Sequence, residues 1–267
     1  MAYFYFIWKF HRSLLIFSAV VISAFQFLFI KLVSAIDYSP ITSLLLEKLP
    51  ENVKAMLGED FISTHTVEGA AAFGLNHPLV LVILCICAII IPSRHIAGEA
   101  ETGTLELVLS FPVARTRLLL NLWISALSFS FFIIFFAVSS SLLSIHIFHQ
   151  LTAGLFVKMI TIGCNLWLLF VFVMSLSLLL SSFGKEGNKV AIRIAGITLV
   201  FYLLHYLSSL WDTISFTKPF NFFAYYQPGD LMSGNRSFSL HFVVLFLLIL
   251  ICLLISLFQF NRRDIPG

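Results

Sequence analysis

One pair of histidines and one pair of cysteines in this sequence are close enough together to be considered as ligands of a metal ion. His146 and His149 are three residues apart, so a helix would place both imidazoles on one face. No third ligand lies near them in the sequence, and interfacial histidines are the simpler interpretation. Cys85 and Cys87 are one residue apart, whereas zinc and redox pairs usually have two residues between them. We therefore predict no metal site and interpret all four cysteines as small buried apolar residues.

The sequence also lacks the elements that catalysis would require. A phosphate-binding loop has the pattern GxxxxGK[ST], which surrounds the phosphates with backbone amides. Gly184-Lys185 is the one Gly-Lys pair, but no serine or threonine follows it and Leu179 stands where the first glycine belongs. A serine hydrolase is excluded in the same way, because there is no GxSxG element and neither His205 nor His241 belongs to a recognisable catalytic arrangement. We predict that the chain is not an enzyme.

The composition is that of a protein surrounded by lipid. Hydrophobic residues make up 60% of the chain and charged residues 11%, against about 25% charged residues in soluble proteins. The mean hydropathy is +1.00, which is more apolar surface than one soluble core could bury. The net charge of +3 is small and spread over several segments, so nothing resembles the basic face that nucleic-acid binding requires.

Six apolar runs approach the length of about 20 residues that a helix needs to cross a bilayer. We predict an all-α, polytopic membrane protein in which residues 1–267 form a single transmembrane domain. The second run is short, but Ala70–Leu75 extends it on one side and Pro92 marks its inner end. The predicted spans are residues 14–35, 70–92, 118–145, 155–182, 191–211 and 240–260.

The distribution of lysine and arginine predicts the orientation of these spans. Short loops that carry an excess of both residues face the cytoplasm. Ten such residues fall on the side of both termini, and six fall on the other side, where they are spread over two long loops. We therefore predict that both termini are cytoplasmic. The ten residues are Lys9, Arg12, Arg94, Arg115, Arg117, Lys185, Lys189, Arg193, Arg262 and Arg263.

Short helices are predicted outside the spans. Residues 2–13 mix aromatic side chains with cations, which suits a separate interfacial helix or an extension of the first span. In the first outer loop, Ser39-Pro40 is typical of a helix start, and Pro50 divides the apolar stripe that follows into two short helices. The second outer loop, Asp212–Ser239, is rich in aromatic and turn residues, and we expect it to fold back onto the membrane surface.

The segment between the second and third spans, residues 93–117, is the most charged stretch on the predicted cytoplasmic side. Gly98 and Gly103 are expected to break or end helical turns. Thr104 can then cap a new short helix, which Pro112 ends. These residues predict a short helix that lies along the membrane surface.

That short helix has an apolar face and an acidic start. Leu105, Val108 and Leu109 share one face at helical spacing, and Glu106 lies in the first turn, where the helix dipole favours an acid. Such a helix could dock into a groove on another protein. Taken on residue chemistry alone, it could equally be a loop that re-enters the bilayer and whose charges stay in water.

Residues 98–110, GEAETGTLELVLS, followed by the sequence PVAR at residues 112–115, resemble the signature of type-2 ABC exporter permeases. That signature reads roughly G-E-x-E-x-G-T-L-E-L-L-L-S-x-P-[VI]-[SA]-R between the second and third spans. The departures are minor: Val108 stands where leucine is frequent and Ala114 where serine is frequent. The tail FNRRDI at residues 260–265 is similar to the F-x-x-R-D-[IL] ending of these permeases.

A finer resemblance concerns the subfamily. Leu49-Pro50 and Leu57-Gly58 in the first outer loop resemble the group that includes the permease serving nitrous oxide reductase maturation. The substrate stays open, since lipid-like molecules, peptides, drugs and sulfur- or copper-related species are all compatible with the sequence.

The resemblance implies how the chain works and what it binds. It implies the membrane-spanning permease subunit of an ABC exporter in the bacterial inner membrane, which forms the translocation pathway. ATP and Mg²⁺ would bind to a separate cytosolic ATPase subunit, and no cofactor would bind to this chain. Two permeases would pair, as a homodimer or as a heterodimer. The residues expected to bind the ATPase and couple the two subunits are Glu99, Glu101, Gly103, Thr104, Leu105, Glu106 and Arg115.

The geometry of this segment leaves two arrangements open. Glu99 and Glu106 are seven residues apart, so an unbroken helix would present both on one face. A break at Gly103 would separate them.

An ATP-independent carrier or channel is the alternative function. It would be expected to have polar residues at midplane depth and helices interrupted by glycine or proline in inverted repeats. Polar residues at that depth are sparse, although Gln26 and His205 could line a cavity or pack within the bundle. The serines of the third span could equally line a conduit or allow helices to approach closely; they are Ser125, Ser128, Ser139, Ser140, Ser141 and Ser144.

Overall fold

Apolar helices dominate the computed structural model, which describes residues 2–35, 67–110, 113–233 and 239–263. Within these residues six helices are long and apolar enough to cross a bilayer, so the predicted all-α polytopic membrane fold is confirmed. The predicted first-outer-loop helices, Pro112 and the end of the tail motif lie outside the described residues. The six spans are Tyr3–Ala35, Val67–Glu101, Arg115–Phe148, Ala153–Phe183, Gly187–Ser208 and Leu240–Arg262.

The first helix, α1, is continuous over Ala2–Ala35. The prediction of a separate interfacial helix at residues 2–13 is therefore wrong, and the alternative of an extended first span is correct. The physical reason is that no glycine or proline interrupts the hydrogen-bond ladder anywhere in these residues. At 1.5 Å per residue the helix is about 51 Å long, so it projects beyond a hydrocarbon core of about 30 Å.

The second span is irregular at both ends. Helix α2 (Val67–Asn76) meets α3 (Pro78–Pro92) at His77, whose ring nitrogen Nδ1 accepts a hydrogen bond from the amide of Leu79 at 3.2 Å. On the other side the chain continues past Pro92 through a π-helical segment, Ser93–Gly98, into the short helix α4 (Glu99–Glu101).

Helix α3 ends at Pro92, where the second span was predicted to end, but the chain stays helical beyond it. The missing amide of Pro92 deprives a single carbonyl, that of Ala88, of its usual donor. The hydroxyl of Ser93 donates to the carbonyl of Ile89 at 2.7 Å, and the backbone amide of Ser93 donates to the same carbonyl. The loss is therefore local, and the chain stays helical in the wider π geometry.

The remaining helices form a bundle around α7. After α5 (Thr104–Ser110) come α6 (Arg115–Phe148), α7 (Ala153–Phe183), α8 (Gly187–Leu210), α9 (Pro228–Ser233) and α10 (Ser239–Arg262). Helix α6 packs along α1, and α10 packs against α7. In the most apolar stretch of α7 67% of the residues are buried, against 17% in α8. Helix α7 is therefore central, and α8 leaves most of its apolar surface uncovered.

The second outer loop folds back onto the bundle. Two 3₁₀ helices, Asp212–Phe220 and Phe222–Tyr225, lead into α9. The side-chain amide of Asn221 donates to the carbonyl of Phe201 on α8 at 2.8 Å, and the ring of Phe222 stacks on the ring of Phe201 with centroids 4.9 Å apart. The loop therefore covers the adjacent end of α8.

Candidate coupling site

Four parts of the chain meet at one end of the bundle. One of them is the stretch from the π-helical turn to the first residue of α6, which we call the 93–115 segment. Six successive spans alternate in direction, so the start of α1, the 93–115 segment, the 184–186 turn and the end of α10 lie on the same side. All seven predicted site residues lie in the 93–115 segment, and their contacts determine which of them face the bundle.

Gly103 separates the two halves of the segment. Its φ angle of 72° lies in the left-handed region, which glycine adopts without strain. The predicted break is confirmed, so Glu99 and Glu106 lie on different helices and diverge. Gly98, in contrast, has a helical φ of −70° and continues the helix, which makes the predicted break there wrong.

Thr104 stabilises the turn but not in the predicted way. The helix α5 begins at Thr104 itself, one residue earlier than expected. The hydroxyl of Thr104 donates to the carbonyl of Glu99 at 3.2 Å and lies 2.9 Å from the hydroxyl of Thr102. The side chain therefore binds a carbonyl of the preceding turn, which α4 leaves without a helical donor.

Helix α5 packs one face onto the bundle and exposes the other. Leu105 is fully buried, and Val108 and Leu109 pack against the same core, as their spacing predicts. Leu107 points the opposite way and is 67% exposed, with Glu106 partly exposed beside it. The helix therefore presents an apolar side chain away from its own chain.

Glu99 faces inward and binds its own segment. Its Oε1 oxygen lies 2.7 Å from Nδ1 of His95, which is 3% exposed. His95 in turn lies 3.0 Å from His11 of α1, measured between the two Nε2 atoms. The carboxylate of Glu99 is therefore part of a buried set of contacts with α1.

Glu101 binds the start of α8. Its Oε2 oxygen accepts a hydrogen bond from the amide of Gly187 at 2.9 Å. A carboxylate is favoured at a helix N-terminus, where amides lack helical partners and the dipole is positive. A Cβ atom on Gly187 would lie only 2.9 Å from the Cα of Gly98, so the two backbones are in direct contact.

Arg115 binds the other end of the chain. Its Nη1 atom donates to the carbonyl of Arg263 at 2.6 Å and, more weakly, to that of Asn261 at 3.4 Å. These carbonyls lie at the end of α10, which has no helical donors left for them. Arg115 therefore joins the start of the third span to the end of the sixth.

Arg263 continues the connection to α7. Its Nη2 atom donates to the carbonyl of Gly184 at 2.7 Å, and Nη1 lies 3.3 Å from the carbonyl of Ser181 and 3.4 Å from that of Ser182. Partial burial lowers the pKa of Arg263, but an arginine stays charged at neutral pH. Our site prediction missed this residue, although the arginine of the F-x-x-R-D tail pattern was the available signal.

We call these contacts the basal network: Glu101 on Gly187, Arg115 on the end of α10, and Arg263 on the end of α7. The turn from Gly184 to Gly187 connects the last two contacts to the first. The basal network connects the 93–115 segment directly to α6, α8 and α10, and it connects the segment to α7 through Arg263. A displacement of the segment would therefore act on the ends of several helices at once.

The comparison with family models identifies the protein class. Residues 9–265 match the family described as ABC-2 family transporter protein. The chain belongs to this family. It is accordingly a permease, the membrane component of a transporter, as the signature at residues 98–115 predicted. The proposed nitrous oxide reductase subfamily stays a prediction, and no curated protein gives a significant match.

The other candidate residues of this ABC-2 permease lie apart from the basal network. His146 and His149 are both exposed, and no group of three or more metal-ligating side chains occurs in the part of the chain that the structure describes. Cys87 and Cys252 are buried as predicted, and Cys85 is partly buried. Cys164 is exposed, which contradicts the prediction that all four cysteines are buried, because it lies on the outer surface of the bundle.

The contacts of the intramembrane polar residues favour the interpretation that they pack within the bundle. Gln26 is fully buried against Gly74, where a Cβ atom would lie 2.5 Å from its side-chain oxygen. His205 packs edge-on against Tyr206 with ring centroids 5.7 Å apart. The hydroxyl of Ser140 donates to the carbonyl of Ser23 on α1 at 2.7 Å, which favours close helix approach for this serine.

Substitution of Glu101 tests its contact with α8. Glu101→Ala removes the acceptor from the Gly187 amide and should lower the free energy of unfolding by about 1 kcal/mol, the usual cost of losing a helix cap. Glu101→Gln keeps an acceptor oxygen and should recover most of that stability. Thermal unfolding of the purified chain in detergent measures both variants. Equal stability of the alanine and glutamine variants would contradict the assignment.

Proposed function

We propose that this chain is the permease subunit of an ABC exporter and that a separate cytosolic ATPase drives it. ATP and Mg²⁺ bind to that partner. The observation that supports this proposal best is the outward face of α5, where Leu107 is 67% exposed at the charged end of the bundle. A short helix with an apolar side chain facing away from its own fold suits a groove on another protein.

The contacts within the chain support a different division of roles among the predicted coupling residues. Glu99, Glu101 and Arg115 all bind partners within the chain. Leu107 and Val113 are exposed, and Glu106 is partly exposed. We assign Leu107, Glu106 and Val113 to contact with the ATPase, and the inward-facing residues to transmission of its movement.

Transmission follows from the basal network. When ATP closes two ATPase subunits together, α5 is displaced together with them. Glu101 passes the displacement to α8 through Gly187, and Arg115 passes it to α10 through the carbonyl of Arg263. Nucleotide supplies the free energy, because a ligand shifts an equilibrium only as far as its affinities for the two states differ.

The proposal places the network in the cytoplasm of a bacterium, on the inner membrane. The ten lysines and arginines predicted to be cytoplasmic include Arg94, Arg115, Lys185, Arg262 and Arg263, which lie at this end of the bundle. A second permease, identical or homologous, pairs with this one. The uncovered apolar surface of α8, with Ile192 72% exposed and Leu199 57% exposed, supports such pairing.

Replacement of Leu107 tests the docking face. Leu107→Ala removes the exposed apolar group and should weaken ATPase binding about fivefold or more, in the range of interface residues whose truncation costs more than about 1 kcal/mol. Leu107→Met keeps the apolar contact and should bind nearly as well as the wild type. The measurement is the amount of ATPase, photolabelled by an azido-ATP analogue, that co-purifies with the tagged chain from its native membranes.

Two outcomes would contradict the proposed function. One is that the wild-type chain retains no ATP-photolabelled polypeptide under mild detergent. The other is that the purified chain in vesicles moves its cargo without nucleotide, which would favour the alternative of an ATP-independent carrier.

A further inference from the structure

A pair of buried histidines joins α1 to the π-helical turn. His11 is 4% exposed and His95 is 3% exposed, and their Nε2 atoms are 3.0 Å apart. A contact of this kind requires one nitrogen to donate and the other to accept. The other ring nitrogen of His95, Nδ1, lies 2.7 Å from the Oε1 atom of Glu99 and is therefore the nitrogen that donates to the carboxylate.

These contacts fix how many protons the pair can hold. If His95 is neutral with its proton on Nδ1, its Nε2 accepts from His11. If His95 takes a second proton, its Nε2 donates and His11 must accept. If both rings are protonated, two donors face each other and the contact is lost. The pair therefore tolerates one added proton but not two.

Aromatic rings enclose the pair. Tyr3, Phe6 and Phe10 of α1 pack edge-on against His95, with ring centroids 6.2, 6.1 and 5.9 Å away. In such a low-dielectric surrounding, each hydrogen bond is stronger and an unpaired polar group is more costly. The contact between the histidines is therefore a specific link between α1 and the turn rather than one that water could replace.

The charged and ionisable groups around the pair come from two elements. Helix α1 contributes Tyr3, and the 93–115 segment contributes Glu99 and Arg94, whose guanidinium lies 4.5 Å from the centre of the Phe10 ring. Helix α6 contributes the apolar ring of Phe129, 6.4 Å from His11. Helix α8 touches the same segment through the backbone of Gly187.

The π-helical geometry at His95 determines how the residues that follow it are oriented. Residues 93–98 form a π-helical turn, a feature that is rare and often found at functional sites. A π turn holds about one residue more than an α turn, so a return to α geometry would rotate the following residues by about 100°. Glu99, Glu101 and all of α5 follow this turn.

We propose that His95 is the positioning residue of the 93–115 segment, holding the π turn against His11 of α1 and the carboxylate of Glu99. The inference rests on the proposed function, because the surface that His95 positions is the ATPase-docking face of α5. It adds α1 to the transmission, and it makes the order of α5 depend on the protonation of the two histidines.

Hydrogen–deuterium exchange of the full chain in lipid nanodiscs tests this proposal without any ATPase. In the wild type, amide exchange in residues 99–110 should be about tenfold faster at pH 4 than at pH 7.5, after correction for intrinsic rates, because the contact is lost only when both rings are protonated. Tenfold is about the factor expected for loss of one net hydrogen bond. In the double variant His11→Gln/His95→Gln, two amides replace the imidazoles and cannot titrate. Exchange should then lose most of its dependence on pH.

Two single variants separate the contact of His95 with His11 from its contact with Glu99. The amide of His95→Gln can occupy the Nε2 position and face His11, whereas the amide of His95→Asn can occupy the Nδ1 position and face Glu99. Both should speed exchange in residues 99–110, since each variant loses one of the two contacts. His146→Gln, at the other end of the bundle, should behave as the wild type. Exchange within α7 serves as the internal reference for correct folding.

The proposal is overturned if wild-type exchange in residues 99–110 does not depend on pH, a result that needs no variant. It is also overturned if the double glutamine variant keeps the full pH dependence. Failure of the proposed function is a separate result, namely absence of an ATP-photolabelled partner on the wild-type chain. The exchange experiment is independent of that outcome.

Discussion

Replacement of Gly187 by valine is expected to reduce transport per ATP hydrolysed at least tenfold while leaving membrane insertion intact. At this position a Cβ atom would lie 2.9 Å from the Cα of Gly98 and 3.0 Å from its nitrogen. Both are backbone atoms, so no side chain can move aside to relieve the contact. Overpacking of this kind typically costs about 1–3 kcal/mol. The strain is relieved only if α8 and the 93–115 segment move apart.

Separation would break the most direct path from the segment to the membrane. Glu101 would lose its hydrogen bond to the Gly187 amide, and α8 would no longer follow α5. The measurement is ATP-driven transport in vesicles that contain the permease and its ATPase, with ATP hydrolysis recorded in the same sample. The expected signature is hydrolysis that continues without proportionate transport.

Gly154→Val is the matched control. Gly154 lies in the first turn of α7 at the opposite end of the bundle, and a Cβ atom there would have nothing within 4 Å. Both substitutions introduce the same side chain near a helix start, so differences in helix propensity largely cancel. Equal transport by the two variants would show that contact between the two glycine backbones carries no coupling.

The six spans could be predicted because lipid burial requires long apolar runs, which are visible in the sequence alone. The break at Gly103 could be predicted for a similar reason, since glycine readily adopts the positive φ that this turn needs. Both features depend on residues that are close together along the chain. Residues 2–13 were ambiguous, because aromatic residues with cations suit either an interfacial helix or the continuous helix observed.

The roles of the acidic residues could not be predicted in this way. Glu101 and Gly187 are 86 positions apart, and nothing in the sequence pairs them. The contact of Gly187 with Gly98 is equally hidden, because a backbone contact has no side-chain pattern of its own. The sequence therefore identified a candidate segment, but it could not predict the contacts that Glu99 and Glu101 make within the chain.

Helix ends explain why the network forms where it does. Each helix end leaves up to four backbone groups without helical partners, and here those groups are bonded by side chains from other helices. Glu101 binds an amide at the start of α8, and two arginines bind carbonyls at the ends of α7 and α10. The same contacts that satisfy the helix ends also connect the spans, so stability and transmission are expected to respond together to their removal.

Arg263→Ala is expected to have the second large effect, lowering the free energy of unfolding by about 2 kcal/mol and transport by more than tenfold. The guanidinium lies against three carbonyls at the end of α7, and hydrogen bonds from charged donors contribute about 1.5–3 kcal/mol. Arg263→Lys should recover only part of the effect, because an ammonium group cannot span three acceptors as a planar guanidinium does. Thermal unfolding and vesicle transport measure the two quantities.

Arg262→Ala provides the control, because it removes an adjacent charge of the same kind and so changes the orientation signal equally. Arg262 is exposed and stacks over the ring of Phe258, 4.0 Å from its centre, so its side chain is outside the basal network. Cation–π contacts at exposed sites contribute about 0.5–1 kcal/mol, so this variant should stay close to the wild type. If the two alanine variants lose transport equally, the loss reflects charge at the membrane surface, and the bond between α10 and α7 is not a path of transmission.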